Sequence, residues 1–157
     1  MRLMIAAIGS RPRAAFDDLA RLYLDRITPL LPGGKQSAVE TPLFRSEEAF
    51  WTAIDRERAR TAPLLVLLDE RGHAMDSQTF AAWLGRERSA DRQLIVFALG
   101  PADGWSPASR ERAGRLLSLG PMTLAHELAR VVLAEQIYRA LTILAGHPYH
   151  REGSKDA

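Results

Sequence analysis

The segment His147-Pro-Tyr-His-Arg151, near the end of the 157-residue chain, concentrates side chains that can do chemistry. Imidazole titrates near neutral pH, so His147 or His150 can take a proton from a substrate. Tyr149 can stack on a nucleobase, and Arg151 can hold a phosphate. The His-x-x-His spacing also suits a metal, but no carboxylate cluster accompanies it, and we expect no metal. The segment therefore predicts proton transfer and nucleic-acid contact.

Three loops that follow apolar runs, 68–70, 100–104 and 119–124, are candidates for ligand binding. Ligands of open α/β sheets bind beside the carboxyl ends of the strands, and a glycine such as Gly100 allows a close approach. An acidic residue such as Asp69 can receive a ribose hydroxyl or an ammonium group. The apolar loop 119–124 can offer its backbone amides to a flat ligand such as adenine. Each loop also fits a structural role as a turn, a helix cap or a buried crossover.

Continuous apolar runs and helix-period patterns alternate along the chain. The runs predict strands over 2–9, 37–43, 64–68, 94–99 and 115–119, with a turn at 69–72. Periodic apolar residues behind capping or proline residues predict helices that begin at Pro12, Ser46, Asp76 or Ser77, Ser106 and His126. Strands that are apolar on both faces indicate an α/β fold, a mostly parallel sheet with helices on both faces. We expect a single domain over 1–157, with 153–157 as a flexible tail.

The last predicted helix, His126–Ala145, has hardly any polar face. A helix that is apolar all round must be buried all round. In a chain of this length, burial is easier when a second copy covers one side of the helix, and two-fold dimers are the commonest oligomers. The sequence therefore favours a homodimer.

Composition places the chain among ordinary folded proteins. It is 46% hydrophobic and 25% charged, with a net charge of +2 and no cysteine, which excludes disulfides and a thiol nucleophile. No apolar run approaches the roughly 18 residues of a membrane span, and no signal-peptide pattern is present. We therefore expect a cytoplasmic protein without membrane contact. Arginine supplies 19 of the 21 basic residues, which suits phosphate binding but also fits a coding bias.

Three motifs near the end of the chain closely resemble the bacterial ribosomal RNA large-subunit methyltransferase H family, which is of the SPOUT class. They are the run from Leu119 to Val132, Glu135-Gln-Ile-Tyr-Arg-Ala140 and His147-Pro-Tyr-His-Arg151. The resemblance covers essentially the whole chain, because weaker matches follow in the expected order at 1–9, 67–72 and the Gly100 loop.

The resemblance implies a fold and an activity that the residue patterns alone do not indicate. The fold is a SPOUT-like α/β knot, in which the C-terminal segment threads a loop as a trefoil. The enzyme is a homodimer that transfers a methyl group from S-adenosylmethionine to base nitrogen 3 of a pseudouridine in 23S rRNA of the assembled ribosome. The family's cofactor positions correspond to Leu68, Gly100, Leu119, Gly120, Pro121, Met122, Thr123 and Leu124. The segment with His147, Tyr149, His150 and Arg151 is expected to reach the substrate pocket of the partner subunit.

One departure from the family is Pro101, where relatives have the second of two adjacent glycines. Proline has no backbone N–H, so a cofactor hydrogen bond from this position is absent. This departure favours an alternative function, a catalytically inactive, ribosome-associated RNA-binding dimer of the same fold. From the residues alone, a third alternative is a small nucleotide-binding hydrolase that uses the tail histidines. The absence of GxGxxG and GxxxxGK[ST] patterns weakens that alternative.

Overall fold

A computed structural model describes residues 1–9, 13–34 and 39–151. Within these residues six strands form one sheet: β1 (Arg2–Ile8), β2 (Val39–Glu40), β3 (Leu43–Phe44), β4 (Leu64–Ala74), β5 (Leu94–Leu99) and β6 (Leu116–Ser118). The strand order is β2-β1-β5-β4-β6, β3 also pairs with β1, and all of these pairs are parallel. The prediction of a mostly parallel sheet is confirmed.

Helices connect the strands in the order that the sequence predicts. They are α1 (Ala14–Ile27), α2 (Glu47–Arg58), α3 (Ser77–Ser89), α4 (Pro107–Ala113) and α5 (His126–Ala145). The side chains of Ser46, Asp76 and Ser106 each accept a backbone N–H from the first turn of the helix that follows. One 3-10 turn, Pro148–Arg151, follows α5. Pro12 and the predicted flexible tail 153–157 lie outside the described residues.

Alternate residues of the central strands face two separate hydrophobic cores. Leu3 and Ile5 of β1 pack in one core, and Met4 and Ala6 pack in the other. All four are buried. The first core contains residues of α1, α3 and α5, and the second contains residues of α2 together with Trp105. The continuous apolar runs thus reflect burial on both faces of the sheet.

Two strand predictions differ from the structure. The predicted strand 37–43 is described only from residue 39 and consists of β2 and β3, which Pro42 separates. The sequence predicted that a turn at 69–72 ends the strand. This prediction is wrong, because β4 continues to Ala74. The chain does bulge there: Leu117 of β6 pairs with both Leu68 and His73, and the Asp69 carboxylate accepts the N–H of Arg71 at 2.8 Å. The turn signal therefore marks a bulge within the strand.

Gly72 lies where the bulged segment crosses β6. A Cβ atom at this position would be 2.7 Å from backbone atoms of Leu116 and Leu117. Real Cβ atoms do not approach backbone so closely, so this crossing requires glycine. The trefoil knot itself stays a prediction, and this contact is the kind of close backbone crossing that a knotted chain needs.

We predict that Gly72→Ala lowers the free energy of unfolding by about 1–3 kcal/mol, because the backbone of β6 has no room to move away. Gly85→Ala is the matched control. Its Cβ meets the flexible end of Leu144 at 2.8 Å, and alanine in a helix gains up to about 1 kcal/mol over glycine. Urea unfolding of both variants measures the difference. Equal stability of the two variants would show that the crossing tolerates a side chain.

Candidate functional site

A cavity of about 410 Å³ lies beside the bulge of β4, at the carboxyl ends of β5 and β6 and next to the first turn of α5. This is the edge at which open α/β sheets bind ligands. The predicted cofactor residues that form part of its wall are Leu68, Gly100, Leu119, Gly120, Met122, Thr123 and Leu124. Pro121 is outside the wall, whereas Pro101 is part of it. The structure therefore brings seven of the eight predicted residues around one space.

Trp105 connects two of the loops that form this wall. Its indole N–H donates to the backbone oxygen of Leu68 at 3.1 Å. A Cβ atom at Gly100 would lie 2.8 Å from the indole Nε1, so the space beside Gly100 is filled by this ring. The absence of a side chain at Gly100 thus serves the packing of Trp105. The sequence suggested only that this glycine lets a ligand approach.

His126 joins the start of α5 to the loop after β5. Its Nε2 lies 2.7 Å from the backbone oxygen of Gly100, a carbonyl that can only accept, so Nε2 carries the proton. His126 also forms part of the cavity wall. The sequence offered one signal for this residue, a titratable side chain at the first position of a helix that follows an apolar loop.

The loop after β6 is held in shape by Ser118 and Gly120. The Ser118 hydroxyl donates to the Gly120 oxygen at 3.0 Å and accepts the Gly120 N–H at 3.2 Å. Gly120 has φ of +130°, a conformation that favours glycine. Met122, two residues later, is 82% exposed at the cavity. A large apolar side chain in that position is available to cover a ligand or to contact another chain.

Charged groups of both signs face the cavity. The Asp69 side chain is only 6% exposed and lies 3.7 Å from the Arg110 guanidinium. Glu70, Asp103 and Arg71 also contribute to the wall. A ligand that carries a cationic part and an anionic part would find counter-charges here. Asp103 belongs to the predicted ligand loop 100–104, whereas Arg110 was not predicted, because its sequence position has no pattern of its own.

The predicted tail folds back onto the middle of α5. The Tyr149 ring centroid is 4.6 Å from that of Tyr138, and its hydroxyl donates to Glu135 at 3.1 Å. Arg139, which is paired with Glu135, lies 5.0 Å from the same ring. Burial and the negative charge of Glu135 raise the pKa of Tyr149 well above its ordinary value. Tyr149 is therefore protonated at neutral pH and anchors the tail to the helix.

The two histidines of the tail differ in which ring nitrogen carries the proton when the ring is neutral. Nδ1 of His150 lies 2.8 Å from the backbone oxygen of His147, so Nδ1 carries the proton and Nε2 of the neutral ring is an acceptor. Nδ1 of His147 instead accepts the N–H of Tyr149 at 3.2 Å, so the proton of that neutral ring is on Nε2.

The cavity and the start of the tail lie at opposite ends of one helix. His126 at the start of α5 touches the cavity, and the tail follows its last residue, Ala145. The tail folds back along the helix as far as Glu135, which is about 14 Å of helical rise from His126. None of the described residues 147–150 forms part of the cavity wall.

Across the described parts of the chain, no cluster of three His, Asp or Glu side chains is arranged to hold a metal ion. Likewise, none of the helices in residues 1–9, 13–34 and 39–151 is long and apolar enough to cross a membrane.

Glu47 supports the Trp105 loop from the first turn of α2. Its carboxylate accepts the N–H of Ser106 at 3.0 Å. Burial alone would raise the pKa of Glu47, but hydrogen bonds from Ser106 and Ser109 and the charge of Arg110 outweigh it and lower the pKa.

Comparison with known proteins gives consistent matches. A family model described as "Predicted SPOUT methyltransferase" matches residues 1–150. Two proteins named "Ribosomal RNA large subunit methyltransferase H" are similar over nearly their full length. The one from Koribacter versatilis is 45% identical over 150 residues, which are 96% of this chain and 98% of that protein. The one from Sinorhizobium fredii is 43% identical over 159 aligned positions, with 96% and 99% covered.

Among solved structures, the fold is similar to that of the SpoU methyltransferase AviRb from Streptomyces viridochromogenes in complex with the cofactor AdoMet. The TM-score is 0.51 at 14% identity, and the match covers 93% of this chain. The chain spans about 59% of that longer protein. This match supports the fold.

We predict that the free energy of unfolding of Glu47→Gln falls less steeply with decreasing pH than that of the wild type. Because the folded-state pKa is lowered, the ionised carboxylate stabilises the fold above the ordinary glutamate pKa. That stability is lost as pH falls through the folded-state pKa. Urea unfolding between pH 7 and pH 3 measures the slope, and Glu48→Gln, at the exposed neighbouring residue, is the control. An unchanged slope in Glu47→Gln would mean that this hydrogen bond contributes nothing.

Proposed function

The chain belongs to the SPOUT methyltransferase family, and we propose that it methylates base nitrogen 3 of a pseudouridine in 23S rRNA, with S-adenosylmethionine as methyl donor. Relatives that match over nearly their full length carry the name of a ribosomal RNA large-subunit methyltransferase. The observation that carries the proposal is the cavity, because its wall contains seven of the eight residues that correspond to the family's cofactor positions.

The cavity suits S-adenosylmethionine in size and charge. Its volume of about 410 Å³ is within the usual range for small-ligand sites. The cofactor carries an ammonium and a sulfonium cation beside a carboxylate, and Asp69, Asp103 and Arg110 offer both signs of charge. The backbone of loop 119–124 would hold the adenine. Pro101 contributes no N–H, so the neighbouring loops would provide the remaining hydrogen bonds.

When bound, S-adenosylmethionine supplies the methyl group. The carbon–sulfur bond breaks and its electron pair stays on sulfur, while the acceptor nitrogen forms the new bond to the methyl carbon. The chain must hold donor and acceptor in line and remove the proton from the acceptor nitrogen. We assign the proton to Nε2 of His150, since Nδ1 of that ring already donates to the His147 oxygen. Arg151 would hold a phosphate beside the target nucleotide.

A second copy of the chain would bring a tail to each cavity. The tail folds back onto Tyr138 and Glu135 of its own α5, and residues 147–150 are outside the cavity wall of their own chain. On α5, Leu128 is 39% exposed, and Val132 and Ile143 on the same stripe are partly exposed. A two-fold dimer in which the α5 stripes of the two copies pack together would cover these residues. It would also place the tail of each copy near the cavity of the other. We therefore propose a homodimer whose active sites each use two chains.

We further propose that the substrate is the assembled ribosome. A net charge of +2 gives weak attraction for free RNA, whose binding depends on many phosphate contacts. A folded particle offers a shaped surface that compensates for weak charge. Such a substrate is found in the cytoplasm, and we place the protein there.

S-Adenosylmethionine and its product S-adenosylhomocysteine should each raise the melting temperature, because a ligand that binds the native state stabilises it. At 100 times its dissociation constant, a ligand adds about 2.7 kcal/mol. Thermal melting with each compound and with ATP measures this. Stabilisation by ATP alone would favour a nucleotide hydrolase and contradict the proposed cofactor.

Mixing two inactive variants should restore methyl transfer. His147→Ala/His150→Ala removes the tail imidazoles, and Thr123→Trp fills the cavity wall with a large ring. In a mixed dimer the intact cavity of one chain meets the intact tail of the other. Random assortment then restores roughly a quarter of wild-type activity on ribosomes. Each variant alone should lose 10²-fold or more.

The melting temperature of each variant checks that it is folded. If the mixture stays as inactive as its components while dimers exchange, the tail does not act across the dimer. If the double histidine variant keeps wild-type activity, the tail does not take the proton.

A further inference from the structure

A second cavity, of about 280 Å³, lies on the other side of the β4 bulge from the proposed cofactor cavity. We name it the arginine cavity, after Arg86 of α3 and Arg115, which immediately precedes β6. His73, Thr79 and Trp83 complete its polar wall. None of the residues matched to the family's cofactor or tail positions belongs to this wall.

The arginine cavity carries unbalanced positive charge. Its wall contains no aspartate or glutamate. Among the described residues neither Arg86 nor Arg115 has an acidic partner, whereas Arg92 is paired with Glu87 at 2.9 Å. Two guanidinium groups that share a concave wall without a counter-charge form a site for an anion.

Trp83 adds a hydrogen-bond donor that has no acceptor. The side chain is 5% exposed, and its indole N–H is buried without a partner among the described residues. Leaving such a donor unsatisfied costs about 1–3 kcal/mol. The Arg115 guanidinium lies 5.4 Å from the Trp83 ring centroid, and Arg86 is one helical turn beyond Trp83. The three groups therefore surround one small region of the cavity.

The two cavities are close together. Leu68, at the cofactor cavity, and His73, at the arginine cavity, both pair with Leu117. Each of these pairs spans one inter-strand distance, so the Cα atoms of Leu68 and His73 are at most roughly 10 Å apart. One short RNA segment can therefore reach both cavities.

We propose that the arginine cavity binds a backbone phosphate of the RNA substrate, a few nucleotides from the base that enters the active site. This inference rests on the proposed function, because it takes RNA as the substrate. A phosphodiester matches a pair of arginine forks. It also offers acceptor oxygens to the guanidinium groups of Arg86 and Arg115.

The test compares Arg86→Gln/Arg115→Gln with Arg56→Gln/Arg58→Gln. The control removes two exposed arginines from α2, which packs on the opposite face of the sheet. Ribosomes from cells that lack the gene are the probe. Co-sedimentation over a range of KCl concentrations measures binding, and methyl transfer gives KM and kcat. Arg86→Gln alone, which keeps the contact between Arg115 and Trp83, provides a second variant with less effect on packing.

We expect the cavity variant to raise KM for ribosomes about tenfold or more with kcat and cofactor-induced melting unchanged. The slope of log affinity against log salt should fall by about one, as for the loss of one phosphate contact. Arg86→Lys/Arg115→Lys should keep the slope and lose part of the affinity, since lysine retains charge without the fork. The α2 control should match wild type.

The proposal is overturned if the cavity variants bind ribosomes as the α2 control does, or if wild-type protein does not bind ribosomes. Binding without any methyl transfer by wild type would contradict the proposed function instead. The comparison of cavity and control variants by co-sedimentation would then still decide whether the arginine cavity holds phosphate.

Discussion

The bulged part of β4 crosses β6 with the two backbones so close that a single Cβ atom at Gly72 would not fit. This crossing determines the position of both cavities. Leu68 pairs with Leu117 beside this crossing, so the β4 bulge and the loops after β5 and β6 together form the wall of one cavity. The crossing also places His73 against the same residue on the other side of the bulge. The proposed cofactor and phosphate sites thus share one structural element.

Helix α5 relates the cavity to the tail. Its first residue, His126, is hydrogen-bonded to the Gly100 loop, and Tyr149 of the tail packs on Tyr138 and Glu135 in the middle of the helix. These contacts hold the tail on its own helix, outside the cavity wall of the same chain. For this reason we propose that a second copy of the chain brings its tail to the cavity. Burial and the charge of Glu135 raise the pKa of Tyr149, so its hydroxyl stays protonated and can donate to Glu135.

The sequence predicted the sheet well, because strands buried on both faces must be apolar throughout. It mistook the 69–72 bulge for a strand end, since the polar residues there turn the chain without stopping the pairing. The cofactor positions came from the resemblance to a family, and the structure brings all but Pro121 to one wall. The role of Trp105 could not be predicted, because it depends on a contact between distant segments. The same holds for Arg86 and Arg115, which are 29 residues apart in the chain and line one cavity only after folding.

Mass-spectrometric mapping of rRNA modification tests whether this chain methylates a pseudouridine of 23S rRNA. Ribosomes from wild-type cells, from cells that lack the gene and from the same cells with the gene restored are digested and compared. We predict that one pseudouridine of 23S rRNA loses the mass of a single methyl group without the gene and regains it on restoration. An unchanged set of methylated nucleotides in the 23S rRNA of cells without the gene would contradict it.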